Sequence, residues 1–184
     1  MVAKAFTKRN RPAALVVTPG ASADREHATL VALERGIPDL VVHRLTLATT
    51  RVPTAVTKIV AAGEALAADL GVVPQRIAYG GRSFGGRACS VAVAEGLRAA
   101  ALVLLSYPLH PPGKPDKLRV DHFPQIEVPT LFVSGERDPF GSPDEFAEHV
   151  PSISGETTVE WVPGNHSPRD NDRIVELVST YLGY

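Results

Sequence analysis

The sequence predicts an α/β fold built on one mostly parallel sheet. Three observations predict it: short apolar runs recur along the chain, most are continuous rather than alternating, and segments of helical period separate them. A continuous run implies a strand covered on both faces, as helices on each side of a parallel sheet would cover it. Six runs qualify: Ala13 to Thr18, Asp39 to Leu45, Arg76 to Gly80, Ala100 to Ser106, Thr130 to Ser134 and Thr157 to Val162. Right-handed crossovers and no second domain are expected.

Residues 1–12 read as a basic arm carrying Lys4, Lys8, Arg9 and Arg11, either frayed or adding an edge strand, and residues 13–184 as one domain. The arm and the run Ala13 to Val17 imitate a secretory signal, but the run is too short and continues into a glycine turn. His27 and His43 fall within helix and strand patterns. After the second run, Val56, Ile59, Val60, Gly63, Leu66, Ala67 and Leu70 share one helical face, with Gly71 set to end the helix. The third run leads through Gly81-Arg82-Ser83-Phe84-Gly85 into an Ala- and Val-rich helix, Arg87 to Glu95, where Cys89 suits close packing. Ser142-Pro143-Asp144-Glu145 and Ser167-Pro168-Arg169-Asp170 each offer a capping serine, a first-turn proline and a carboxylate three residues on. The second opens a last helix with the face Ile174, Leu177, Val178, Tyr181 and Leu182, and Thr157 to Val162 is expected at an exposed edge.

Composition narrows the function. The chain has 184 residues, 44% hydrophobic and 21% charged, enough for one substantial core. Net charge is −1 and the basic residues are dispersed, so neither nucleic acid nor an anionic membrane is an expected partner. No stretch approaches the ~20 apolar residues that cross a bilayer. One cysteine permits no internal disulfide and no cysteine-bound zinc, so a cytoplasmic protein without metal or cofactor is expected.

Gly-x-Ser-x-Gly between strand and helix forces Ser83 onto a sharp, exposed turn. A serine hydroxyl is a poor nucleophile until a base takes its proton, and the base needs an acid to fix its tautomer. In such sheets, sites form at the carboxyl ends of strands. Asp138 follows the fifth run, and His166 follows the sixth. His149 lies inside a predicted helix, and Glu136 sits close enough to its strand to point away. Ser83, Asp138 and His166 are therefore the candidate triad. The backbone N–H groups of Phe84 and of Ala21, in the loop after the first run, are candidate oxyanion donors.

These residues carry a family resemblance. Gly80 to Arg87, Ser106 to Gly113, Gly135 to Gly141 and Gly164 to Ser167 resemble a compact α/β-hydrolase of the dienelactone-hydrolase-like kind. The resemblance is greatest to the group of testis-expressed-30-like proteins and the hydrolase-like subunit of the non-specific-lethal histone acetyltransferase complex. It implies a minimal α/β-hydrolase fold lacking the two amino-terminal strands of larger relatives. Ser83 stands where true dienelactone hydrolases use cysteine, and Pro19 interrupts the His-Gly common in the small group.

The expected activity is cleavage of a small-molecule carboxylic ester or thioester through an acyl-enzyme on Ser83. Acyl transfer with the same residues and a non-catalytic interaction module are the alternatives. The segment from Tyr107 to Val128 is too short for a cap domain, so an open, shallow cleft is expected with this proline-rich insertion as one wall. His110, Arg119 and His122 within it are either substrate contacts or solvated loop residues. Arg82 either steers an anionic substrate or forms a buried ion pair supporting the turn. Oligomeric state is left open.

Overall fold

The computed structural model describes residues 5–184. In chain order the elements are β1 (Ala14–Thr18), α1 (Ala28–Gly36), β2 (Val41–Arg44), α2 (Val52–Leu70), β3 (Ile77–Arg82) and α3 (Phe84–Ala94), then β4 (Leu102–Leu105), β5 (Thr130–Gly135), α4 (Pro143–His149), β6 (Thr157–Val162) and α5 (Asn171–Leu182). The strands form one sheet in the order β2-β1-β3-β4-β5-β6, and every neighbouring pair is parallel. Chain direction across the sheet reverses between β1 and β3, which opens a crevice at their carboxyl ends.

Alternate residues of each inner strand feed two cores. In β1, Ala14 and Val16 enter one and Leu15 and Val17 the other; β4 divides Leu102 and Leu104 from Val103 and Leu105 in the same way. The first core takes α2 and α3 through Ile59, Ala67, Ala88 and Ala92, and the second takes α1 and α5 through Leu30, Leu33, Leu177 and Tyr181. That double burial is why the runs are continuous. β2 and β6 are the edges, so β6 stands where the sequence put it.

Several expectations shift. β3 continues past Gly80 to Arg82, because Gly80 and Gly81 lie flat beside β4, where a Cβ on Gly80 would strike the Val103 carbonyl. β4 is shorter than its run, since Ser106 already turns at φ 47°. The buried stripe of α2 is Ala55, Ile59, Gly63 and Ala67, and Leu70 is 38% exposed. Small residues face inward there because the helix presses onto Tyr79, whose Cε1 would lie 2.6 Å from a Cβ on Gly63. Gly71 ends α2 with φ 63°, as expected. The capping box at Ser142 and Glu145 forms. At the last helix the cap is instead Asp170, whose carboxylate accepts from Arg173 N–H at 2.9 Å.

Residues 1–4 of the expected arm lie outside the described residues. Residues 5–12 add no strand. Phe6 is buried with its ring 6.3 Å from that of Tyr181, and the Tyr184 hydroxyl donates to the Pro12 carbonyl at 2.5 Å. Between β4 and β5 the insertion holds only a short 3-10 turn, Phe123–Gln125, and no cap domain covers the sheet. No helix among the described residues is long and apolar enough to cross a membrane.

Candidate active site

Ser83 is the single residue between β3 and α3, with φ 51° and ψ −117°. A non-glycine residue held there stores about 1–3 kcal/mol of strain, which its surroundings must over-determine. They do so: Ser83 N–H donates to the Leu105 carbonyl at 2.8 Å, and its own carbonyl accepts from Arg87 N–H at 3.0 Å. The flanking glycines let β1 approach. A Cβ on Gly81 would lie 2.6 Å from the Thr18 carbonyl oxygen, and one on Gly85 would collide with Pro19 O and Thr18 Oγ1.

His166, in the loop after β6, reaches back so that its Nε2 lies 2.8 Å from Ser83 Oγ. Its Nδ1 lies 3.0 and 2.8 Å from the two carboxylate oxygens of Asp138, in the loop after β5. Asp138 is 5% exposed, and its Oδ1 also accepts from Phe140 N–H at 2.9 Å. A carboxylate can only accept, so Nδ1 carries the hydrogen and the Nε2 lone pair faces the serine hydroxyl. The Phe140 ring stacks on His166, centroids 3.9 Å apart and 25° from parallel. Nothing in the sequence marked Phe140 for this role.

Arg82 ties the elbow to the histidine loop. Its Nη2 donates to the His166 carbonyl at 2.6 Å and to the Ser167 hydroxyl. That contact explains the displaced helix cap, because the Ser167 hydroxyl is already engaged and its N–H goes to Asn165 Oδ1. No carboxylate lies within ion-pair distance of Arg82 among the described residues, so of its two expected roles the buried ion pair does not form, and neutral acceptors take its place. Burial lowers the Arg82 pKa, and the Asp138 charge partly opposes the shift.

An open cleft of about 400 Å³ lies over Ser83 and His166. Its lining includes Ala21 and Thr50, Pro108 and Arg119 of the insertion, and Arg87 of α3. The insertion thus supplies part of the wall, and Arg82 and Arg119 both line the space. Phe84 begins α3, where an N–H has no partner within the helix. The loop holding Ala21 abuts the nucleophile closely: a Cβ on Gly20 would lie 3.6 Å from Ser83 Cβ.

His110 and His122, read from the sequence as either substrate contacts or solvated loop residues, fit neither description: they do not line the cleft, and they are packed within the fold. His110 is buried, donating from Nδ1 to the Pro111 carbonyl at 2.8 Å, with Nε2 3.0 Å from Glu145 Oε1. His122 Nε2 lies 2.8 Å from Ser90 Oγ, and burial, then the Arg87 charge, push its pKa down to about 4. One assignment satisfies the whole cluster: His122 N–H donates to Ser90, Ser90 O–H to the Arg87 carbonyl at 2.9 Å, and Tyr107 O–H to the Arg119 carbonyl at 3.1 Å. Ser90 is fully buried, and in this assignment its oxygen accepts a hydrogen bond from His122 while its own hydrogen goes to the Arg87 carbonyl, so this second serine–histidine pair is a structural brace.

A capless sheet of six parallel strands, with an elbow serine where its direction reverses, defines an α/β-hydrolase. Residues 12–174 match the family described as alpha/beta hydrolase domain, and the chain belongs to that family. Among solved structures the chain is similar to dienelactone hydrolase from Anabaena variabilis, at 19% identity and TM-score 0.76, covering 92% of this chain and 85% of that one. It is also similar to Est1E from Butyrivibrio proteoclasticus, at 18% identity and TM-score 0.72, covering 92% and 86% respectively. A protein of unknown function from Agrobacterium tumefaciens has 18% identity, TM-score 0.65 and 96% coverage of both chains.

Proposed function

We propose that this hydrolase cleaves carboxylic esters or thioesters through an acyl-enzyme on Ser83. The observation that carries the reading is the unbroken hydrogen-bonded chain from Ser83 through His166 to Asp138. His166 Nε2 takes the hydroxyl proton as Ser83 Oγ attacks the carbonyl carbon, and Asp138 stabilises the imidazolium that forms. The backbone N–H groups of Phe84 and Ala21 receive the developing oxyanion. Collapse expels the alcohol or thiol with the proton from His166, and water repeats the cycle to release the acid. The sharp elbow and the short relay distances favour this reading over an interaction module that only keeps the fold.

Within the family we read the chain as nearest the testis-expressed-30-like group, on the motifs around Ser83, Asp138 and His166. We also read it as working in a reducing cytoplasm, since its one cysteine is buried against Thr18 and the Gly80 carbonyl.

Turnover of 4-nitrophenyl acetate tests the proposal. Wild-type protein should release nitrophenolate in a Ser83-dependent reaction, and Ser83→Ala, with its circular dichroism unchanged, should fall to the background rate. Retained turnover in Ser83→Ala would overturn the nucleophile assignment. A folded wild type inert toward this and other short esters would favour the interaction module.

A further inference from the structure

Arg87 and Arg119 border the same cleft as Ser83, one from α3 and one from the insertion. Among the described residues neither guanidinium forms an ion pair. Arg87 Nε is buried without any hydrogen-bond partner. The carboxylate nearest the reacting centre, Asp138, is shut behind His166 and already committed to it. Two cations thus border one cleft without a counter-charge, and the Arg119 pKa is lowered by burial and then by the Arg87 charge. Unpaired, half-buried like charges are unfavourable, and a bound anion would relieve them.

Their backbones are also fixed. The buried cluster donates one hydrogen bond to each carbonyl, from Ser90 to Arg87 and from Tyr107 to Arg119. That brace adds to the core packing of Tyr107, Leu109 and Phe123, and to the hydrogen bond from Arg119 N–H to the Leu109 carbonyl at 2.8 Å, in holding Arg119 beside α3. The half-buried His122 of that cluster, which the sequence left as either a substrate contact or a solvated loop residue, instead supports the arginines that border the cleft.

We propose that Arg87 and Arg119 form an anion subsite, so that the preferred substrate is an ester or thioester carrying a second, negatively charged oxyanion group on a short chain. The inference rests on Ser83 being the nucleophile. Arg87 follows Ser83 by four residues, about one helical turn and ~6 Å of rise along α3, so its side chain leaves the helix on the Ser83 side and a short acyl chain is the one to test. The planar fork of arginine fits carboxylate and phosphoryl oxygens alike, so the shared chemistry is an oxyanion, and the test must separate the two.

Three methyl esters of matched acyl length serve as probes: methyl pentanoate, monomethyl glutarate and methyl 4-phosphonobutanoate. Proton release in a pH-stat should give at least one anionic ester a kcat/KM about tenfold to hundredfold above the neutral one, the range expected of a charged hydrogen bond. Which anionic ester leads identifies carboxylate or phosphoryl recognition. Arg87→Gln and Arg119→Gln should each bring the ratio of anionic to neutral ester toward one. Calorimetric titration of Ser83→Ala with the leading anionic ester supplies a readout free of turnover, and adding either arginine substitution should weaken that binding at least tenfold. Arg119→Gln, on the insertion rather than in α3, keeps the test informative where Arg87→Gln fails to fold.

Equal kcat/KM for all three esters, or a preference indifferent to Arg119→Gln, overturns the subsite while leaving Ser83 hydrolysis standing. Arginine-dependent binding without hydrolysis of any ester has the opposite meaning: the arginines bind an anion, but the hydrolase reading and the substrate preference built on it fall.

Discussion

The carboxylate of Asp138 divides its work between two donors. Its Oδ1 receives Phe140 N–H at 2.9 Å, while Oδ2 lies 2.8 Å from His166 Nδ1. In Asp138→Asn the amide oxygen keeps the backbone donor and the amide nitrogen turns to the imidazole. Nδ1 must then accept, the hydrogen moves to Nε2, and the histidine points a donor at Ser83 where it should present a lone pair. Turnover of 4-nitrophenyl acetate is expected to fall by about 10⁴ with little loss of stability. A variant within tenfold of wild type would mean that Asp138 does not set the tautomer. The sequence offered Ser83, Asp138 and His166 because each is tied to a strand end, a property of local pattern. It did not offer Phe140, whose stacking on His166 depends on how two separate loops meet. Arg87 was legible in principle, since four residues along a helix return to the same face.

The insertion between β4 and β5 is held to α3 by polar contacts as well as by packing. His122 lies against Phe123 and Ser90, and burial first, then the charge of Arg87, lower its pKa from 6.5 to about 4, with Asp121 partly opposing the shift. The folded protein therefore binds this proton less readily than the unfolded chain. The neutral histidine contributes its full stability above about pH 6.5, and that contribution is lost as pH falls toward about 4. Urea midpoints measured across this window should drop more steeply for wild type than for His122→Gln, which keeps a donor but cannot take up the proton. Parallel curves would show that the cluster is not coupled to folding. At this scale the sequence was informative about strands and caps within one segment, as at Gly71 and Ser142. It failed at Ser167, where a long-range contact with Arg82 overrode a sound local capping signal, and Asp170 took the cap.

The molecule as a whole combines a rigid parallel sheet with loops that converge where strand order reverses. Apolar continuity in the inner strands made that sheet readable, because two-sided burial leaves few polar positions there. The chemistry of the cleft wall was harder to read. His110 and His122 looked as available as Arg119 along the chain, and only packing turned the histidines inward and left the arginine facing the cleft. The central claim is that the serine at the reversal point is the activated one, although a second serine, Ser90 on α3, is also paired with a histidine. A fluorophosphonate probe, with its attachment site read by peptide mass mapping, tests that claim most directly. One adduct is expected on Ser83 of the folded protein and none on Ser83→Ala; an adduct on Ser90, or no adduct on folded wild type, would contradict the claim.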